Sequence, residues 1–195
     1  MLRQSVPSNV LVVSRTPNVS ELLRELFPPE RLGSVTTLLT CAQAKRALLS
    51  AQYDIIVINA PLADEFGSRF ALDAVADTSC VVLFISPSEQ YEEQSAMLES
   101  YGVLTLEKPI TKSAFYAALR LSLAMRERLR AMERKNQSLN DKMGELRLIN
   151  RAKWALIEGL SMTEKQAHRY IEKQAMDMRL SKLQVAESII RTYEK

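Results

Sequence analysis

Two cysteines, one histidine, one tryptophan and five glycines among 195 residues exclude several kinds of chemistry at the outset. Cys41 and Cys80 are too few, and too far apart in sequence, to frame a zinc site, and the lone His168 cannot complete one. Both thiols are expected to be buried structural residues. His168 has no neighbouring nucleophile, so a surface or structural role is expected, and no enzymatic activity, metal or cofactor is implied. No run of about 18 apolar residues offers a membrane span, and Met1 to Pro7 lack the apolar core of a secretory leader. A cytoplasmic protein is the expectation. What is present, 47% hydrophobic and 25% charged residues, fits a folded chain of one or two domains.

The formal charge of +3 conceals an asymmetry about Pro109. Met1 to Ile110 carry 8 Lys/Arg against 13 Asp/Glu, a net of −5; Thr111 to Lys195 carry 18 against 10, a net of +8. A basic half on an acidic one points to a polyanionic partner.

In the acidic half, short β-branched runs alternate with amphipathic stretches, the pattern of a parallel sheet with crossover helices. Strands are expected at Val10 to Ser14, Ser34 to Leu39, Asp54 to Asn59, Cys80 to Ser86 and Val103 to Glu107. Helices are expected around Ser20 to Leu26, Ala42 to Ala51, Phe70 to Val75 and Glu89 to Tyr101. The fold class is therefore α/β, with a five-stranded, doubly wound parallel sheet. Function in such sheets gathers at the carboxyl ends of the strands, so Ser14, Arg15, Asn59, Ser86 and Lys108 are expected around one crevice.

The stretches VLVVSRTP, DIIVINAPLADEFG and LEKP resemble the first strand, the third strand with its loop, and the end of the fifth strand of response-regulator receiver domains, across roughly residues 8 to 120. That family places an acidic pair after its first strand for magnesium and a phosphoryl-accepting aspartate at the end of its third. Ser14, Arg15 and Asn59 stand at those positions here. A hard cation wants anionic oxygen, and an amide is too poor a nucleophile to take phosphate. Ser86 and Lys108 match the family's phosphoryl-holding hydroxyl and lysine, and Lys108-Pro109 its cis-prolyl joint. The resemblance thus implies a receiver scaffold with a degenerate phosphorylation site, controlled instead by a regulatory protein or ligand. Asp64 and Glu65 are expected to solvate the loop beyond Asn59.

After Thr111 no glycine or proline occurs until Gly144, so the last receiver-like helix is expected to run on. Met125, Met132, Leu139 and Leu146 fall at heptad position d, and Leu129, Asn136, Met143 and Asn150 at a. A buried asparagine at a is satisfied only by a second asparagine, so the seam predicts a parallel homodimer. Arg128 at g faces Glu133 at e of the second chain.

From about Leu146 to Tyr193 the chain reads as a small module of three helical periods. Gly159 is expected to end the first; Thr163 with Gln166, and Ser181 with Gln184, are capping-box signals for the others. Ile149, Ala152, Leu156, Ala167, Tyr170, Ile171, Ala175, Met178, Val185, Ile189 and Ile190 recur at helical spacing as a core, and Trp154 is expected to join it. Lys165, Arg169 and Lys173 stand four apart on one face, while Arg147, Arg151 and Lys153 line the preceding helix.

Within this module NRAKWALIEGL, MTEKQAHRYIEKQAMDMR and VAESII resemble the ANTAR domain over its whole length. The resemblance implies dimeric binding to paired hairpins in a messenger RNA leader, which stabilises an antiterminator. Carried over by position, the RNA contacts are Arg147, Arg151, Lys153, Arg169, Tyr170, Lys173 and Arg179, with Lys165 on the same basic stripe. Tyr170 either stacks on a loop base or fills the core. The expected organisation is a receiver-like domain over 1–120, a coiled-coil dimerisation helix over 121–145 and an ANTAR-like module over 146–195. A DNA-binding two-component transcription factor is the alternative, since a basic helix also suits a major groove.

Overall fold

A computed structural model describes residues 6–28 and 30–193. Residues 1–5, part of the stretch on which the leader reading rests, lie outside the described ones. The chain divides into two compact units, Met1–Arg130 and Ala131–Lys195.

The first unit alternates strand and helix: β1 (Ser8–Ser14), α1 (Asn18–Leu26), β2 (Leu32–Leu38), α2 (Cys41–Ser50), β3 (Ile55–Asn59), α3 (Ser68–Asp77), β4 (Val81–Ser86), α4 (Ser88–Glu99) and β5 (Leu104–Glu107), followed by the start of α5 (Lys112–Leu160). All five strands pair in parallel in the order β2-β1-β3-β4-β5. Each expected strand is present, with ends moved by a residue or two: β1 and β2 begin two residues earlier, where Ser8 pairs with Leu32, and β3, β4 and β5 begin one residue later than expected. The central strands carry unbroken apolar runs, IIVI and VVLFI, because helices cover both faces. Edge strand β2 mixes in threonine and glycine and is more exposed.

Side-chain alternation divides the core. Leu11, Val13, Ile56, Ile58, Val82 and Phe84 pack with residues of α2, α3 and α4 on one face. Val10, Val12, Ile55, Val57, Leu83 and Ile85 pack with Val19 and Leu23 of α1 and Phe115 and Leu119 of α5 on the other. Before α3, Gly67 adopts φ +106°, a backbone state that a side chain at this position would strain.

The second unit takes α5 from Ala131 onward together with α6 (Glu164–Met178) and α7 (Lys182–Tyr193), and its core lies where the last turns of α5 meet α6 and α7. Both capping boxes form. Thr163 N donates to Gln166 Oε1 (2.8 Å) while Gln166 N donates to Thr163 Oγ1 (3.3 Å), and Ser181 with Gln184 repeats the exchange at 2.9 and 3.2 Å. The core is rich in alanine: Ala152, Ala155, Ala167, Ala175 and Ala186 pack with Leu156, Ile171, Val185 and Ile189.

Three expectations for this module are corrected. Gly159 does not end the helix, which runs on to Leu160; the left-handed residue is Ser161. The glycine instead leaves room for Tyr193, whose ring carbon would lie 3.0 Å from a Cβ there. Met178 is exposed, because the buried stripe Ala167–Ile171–Ala175 ends one turn earlier and the chain reverses at Arg179, also left-handed. Trp154 is 63% exposed rather than core. The small residues at 152 and 155 let the helices approach closely, and the 3.6-residue period turns position 154 away from them.

Candidate nucleic-acid interface and receiver-like crevice

In the first unit the strand order reverses between β1 and β3, which opens a cleft at their carboxyl ends. Parallel register sets Ser14 beside Asn59. Asn59 Nδ2 donates to Ser14 Oγ (3.0 Å), and Ser14 Oγ donates to the Thr16 carbonyl (2.7 Å). Asn59 Oδ1 is buried without a hydrogen-bond partner. Lys108, just after β5 and before the cis peptide to Pro109, reaches the Ala60 carbonyl. Burial lowers its pKa, and no carboxylate offsets that among the described residues. Ser86 is fully buried and donates to the Pro87 carbonyl (3.2 Å). The cleft, about 670 Å³, is lined by Thr16, Asn59, Ser88, Glu89 and Lys108 together with apolar residues of α1 and the β5–α5 loop; Arg15 is exposed and outside the lining.

Asp64 does not simply solvate its loop. Its two oxygens accept the backbone N–H groups of Cys41 and Ala42 (2.9 and 3.0 Å), placing a carboxylate on the amino terminus of α2. Desolvation opposes this charge, but the N–H donors hold the carboxyl below its ordinary range. Burial, with Glu65 beside it, pushes the Cys41 thiol up, and burial also raises Cys80, so both are inert thiols as expected.

A charge cluster that sequence reading missed sits at the amino ends of the strands. Asp54 Oδ1 accepts from Arg126 Nε (2.9 Å) and Arg130 Nη2 (2.8 Å), and its Oδ2 accepts from Asn9 N (2.9 Å). Arg130 also meets Glu127 at 2.7 Å. Desolvation would raise the Asp54 pKa; the two guanidiniums and the Asn9 N–H overcome it and hold the carboxyl low. No motif marks this cluster, because Asp54 lies 45 residues from Asn9 and 72 from Arg126.

In the second unit, Lys165, Arg169 and Lys173 are exposed on the side of α6 opposite its buried stripe. Arg147 and Arg151 are exposed on α5. Lys153 is 15% exposed at its side chain and pairs with Glu164 at 3.1 Å. Tyr170 is partly buried against the core, and Arg179 is exposed at the carboxyl end of α6. His168 lies on the surface, and Lys182 with His168 lowers the pKa of Glu172. Every residue from 131 to 143 on α5 is exposed, including Met132, Asn136, Leu139 and Met143; Met125 and Leu129 are half-buried in the first unit.

Residues 137–190 match the family model described as the ANTAR domain. The carboxyl-terminal unit of this chain carries an ANTAR domain. The transcriptional regulatory protein PdtaR of Mycobacterium tuberculosis H37Rv is 22% identical over 139 residues, covering 71% of this chain and 68% of that protein. The aliphatic amidase regulator of Pseudomonas aeruginosa is 26% identical over 113 residues, covering 58% and 57%. The signal receiver domain of an HD domain-containing protein from Pseudomonas fluorescens Pf-5 superposes with a TM-score of 0.57 at 18% identity, over 67% of this chain and 97% of that one. The response regulatory domain of mrkE from Klebsiella pneumoniae gives 0.54 at 16%, over 62% and 98%. The amino-terminal unit thus has the receiver fold, joined in this chain to an ANTAR domain.

Proposed function

We propose that this chain is an RNA-binding transcription antitermination regulator, acting in the cytoplasm as a parallel homodimer on hairpins in a nascent messenger RNA leader. The observation that carries this reading is the exposed stripe Lys165–Arg169–Lys173 on α6, within an ANTAR domain. Arg147, Arg151, Lys153, Tyr170 and Arg179 complete the contact surface. Lysine and arginine neutralise phosphates, and exposed loop bases accept stacking on planar groups. The dimer is supported by the uncovered seam of α5, where Met132, Leu139 and Met143 stand at heptad spacing with Asn136 between them.

The receiver-like domain takes no phosphoryl group in this reading. Asn59 and Ser14 offer a neutral amide and hydroxyl where phosphotransfer needs carboxylates. Control then falls to a regulatory protein or ligand at that domain, or to dimerisation itself. A gel shift comparing hairpin RNA with duplex DNA at one fixed salt concentration tests the function. Preferential retardation of hairpin RNA is expected. Preferential binding of duplex DNA would make the chain a DNA-binding regulator instead.

A further inference from the structure

A lone apolar side chain on a surface carries no meaning, but Trp154 is not placed alone. It forms one wall of a concavity of about 280 Å³ whose other lining residues are Asn150, Lys153, Ile157 and Glu164. The wall is a π face and Ile157 adds apolar surface. The remaining groups are polar: an amide that both donates and accepts, and an ammonium paired to a carboxylate at 3.1 Å. Arg147 and Arg151 lie two turns and one turn before Trp154, on the exposed side of the same helix.

We propose that Trp154 is the stacking platform for an unpaired RNA base, whose edge is read by Asn150 and the Lys153–Glu164 pair. This deepens the RNA-binding reading and rests on it. The juxtaposition fits a nucleobase better than a second copy of the chain. A flat ring bordered by convergent donors and acceptors matches a heterocycle with a π face and a hydrogen-bonding edge. The adjacent guanidiniums supply charge for the flanking phosphates. In a protein interface, burial would instead desolvate the Lys153–Glu164 pair.

The chain's single tryptophan makes this directly readable. The probe is the hairpin retained most tightly by full-length wild-type protein from a pool with one fixed stem and a randomised loop. The same stem as a blunt duplex is the control. The hairpin is expected to quench tryptophan emission and shield it from acrylamide, and the duplex to do neither. Trp154→Ala is expected to weaken hairpin binding roughly 5- to 150-fold, with an unchanged salt slope because no charge is removed. Trp154→Phe, which keeps a ring, should recover most of that loss. Wild-type protein that binds the hairpin without quenching, or a folded Trp154→Ala variant of undiminished affinity, overturns the stacking role and leaves RNA binding intact. Shielding that grows with protein concentration in the absence of RNA assigns the indole to a second copy and also overturns it. Absence of any hairpin preference removes both readings. The quenching measurement needs no variant, so it decides the matter even if Trp154→Ala fails to fold.

Discussion

Asp54 receives two guanidiniums and a backbone N–H at one carboxyl group, with all three side chains largely buried. Removing the carboxylate takes away the acceptor that two largely buried guanidiniums share. Asp54→Asn is therefore expected to cost about 3–5 kcal/mol at neutral pH, measured by urea unfolding. The pH dependence has a definite sign. The folded-state pKa lies below the ordinary value of 3.8, so the stabilisation is present above that value and is lost as pH falls through the folded-state pKa. The gap between wild type and Asp54→Asn should accordingly be constant from pH 5 to 7 and narrow in stronger acid. A gap that widens in acid sinks the assignment. At the other end of the strands, intact mass after incubation with acetyl phosphate should show no added phosphoryl group, since Asn59 offers only an amide.

Tyr170 illustrates how one position can serve two ends. It is partly buried against the ANTAR core, so truncation to alanine should lower the unfolding free energy by something on the order of 1–3 kcal/mol, and Tyr170→Phe should restore it. Unchanged stability in Tyr170→Ala, together with weakened RNA binding, would place the ring at the RNA instead.

Among the elements, α6 and α7 are short, and their amino termini are satisfied by reciprocal side-chain and backbone bonds. Thr163→Ala or Ser181→Ala should each cost about 1 kcal/mol, read as a lower denaturation midpoint without change in slope. An effect below a few tenths would mean that the caps are replaced by water. The alanines at 152, 155, 167, 175 and 186 matter at the same scale, because they set how closely the three helices approach. That closeness excludes an indole from the core.

For the whole molecule, the 49-residue α5 belongs to both units and leaves a heptad seam uncovered. Leu139→Glu with Met143→Glu would set like charges against each other in a parallel dimer. Sedimentation should then report a monomer where the wild type is dimeric at micromolar concentration. A wild-type monomer, or an unaffected dimer in the variant, removes the seam from consideration. The basic surface calls for a separate measurement. Alanine at Lys165, Arg169 or Lys173 should weaken all RNAs alike and reduce the salt slope by roughly 0.7–0.9 per lost phosphate contact.

The sheet, its parallel order of elements and the three-helix module were legible in the sequence, because period-2 and period-3.6 patterns are local consequences of which side chains must leave water. Ser14, Asn59 and Lys108 could be placed near one another for a related reason: strand ends in a doubly wound sheet converge whatever the side chains are. The cap pairs Thr163–Gln166 and Ser181–Gln184 are also local and were readable. Tertiary structure alone decided what depends on distance. It brought Arg126 and Arg130 to Asp54, Asp64 to the start of α2 and Tyr193 to Gly159, contacts between residues far apart in the chain. It also turned Trp154 outward, since a tryptophan's size argues for burial until small neighbours close the space it would need.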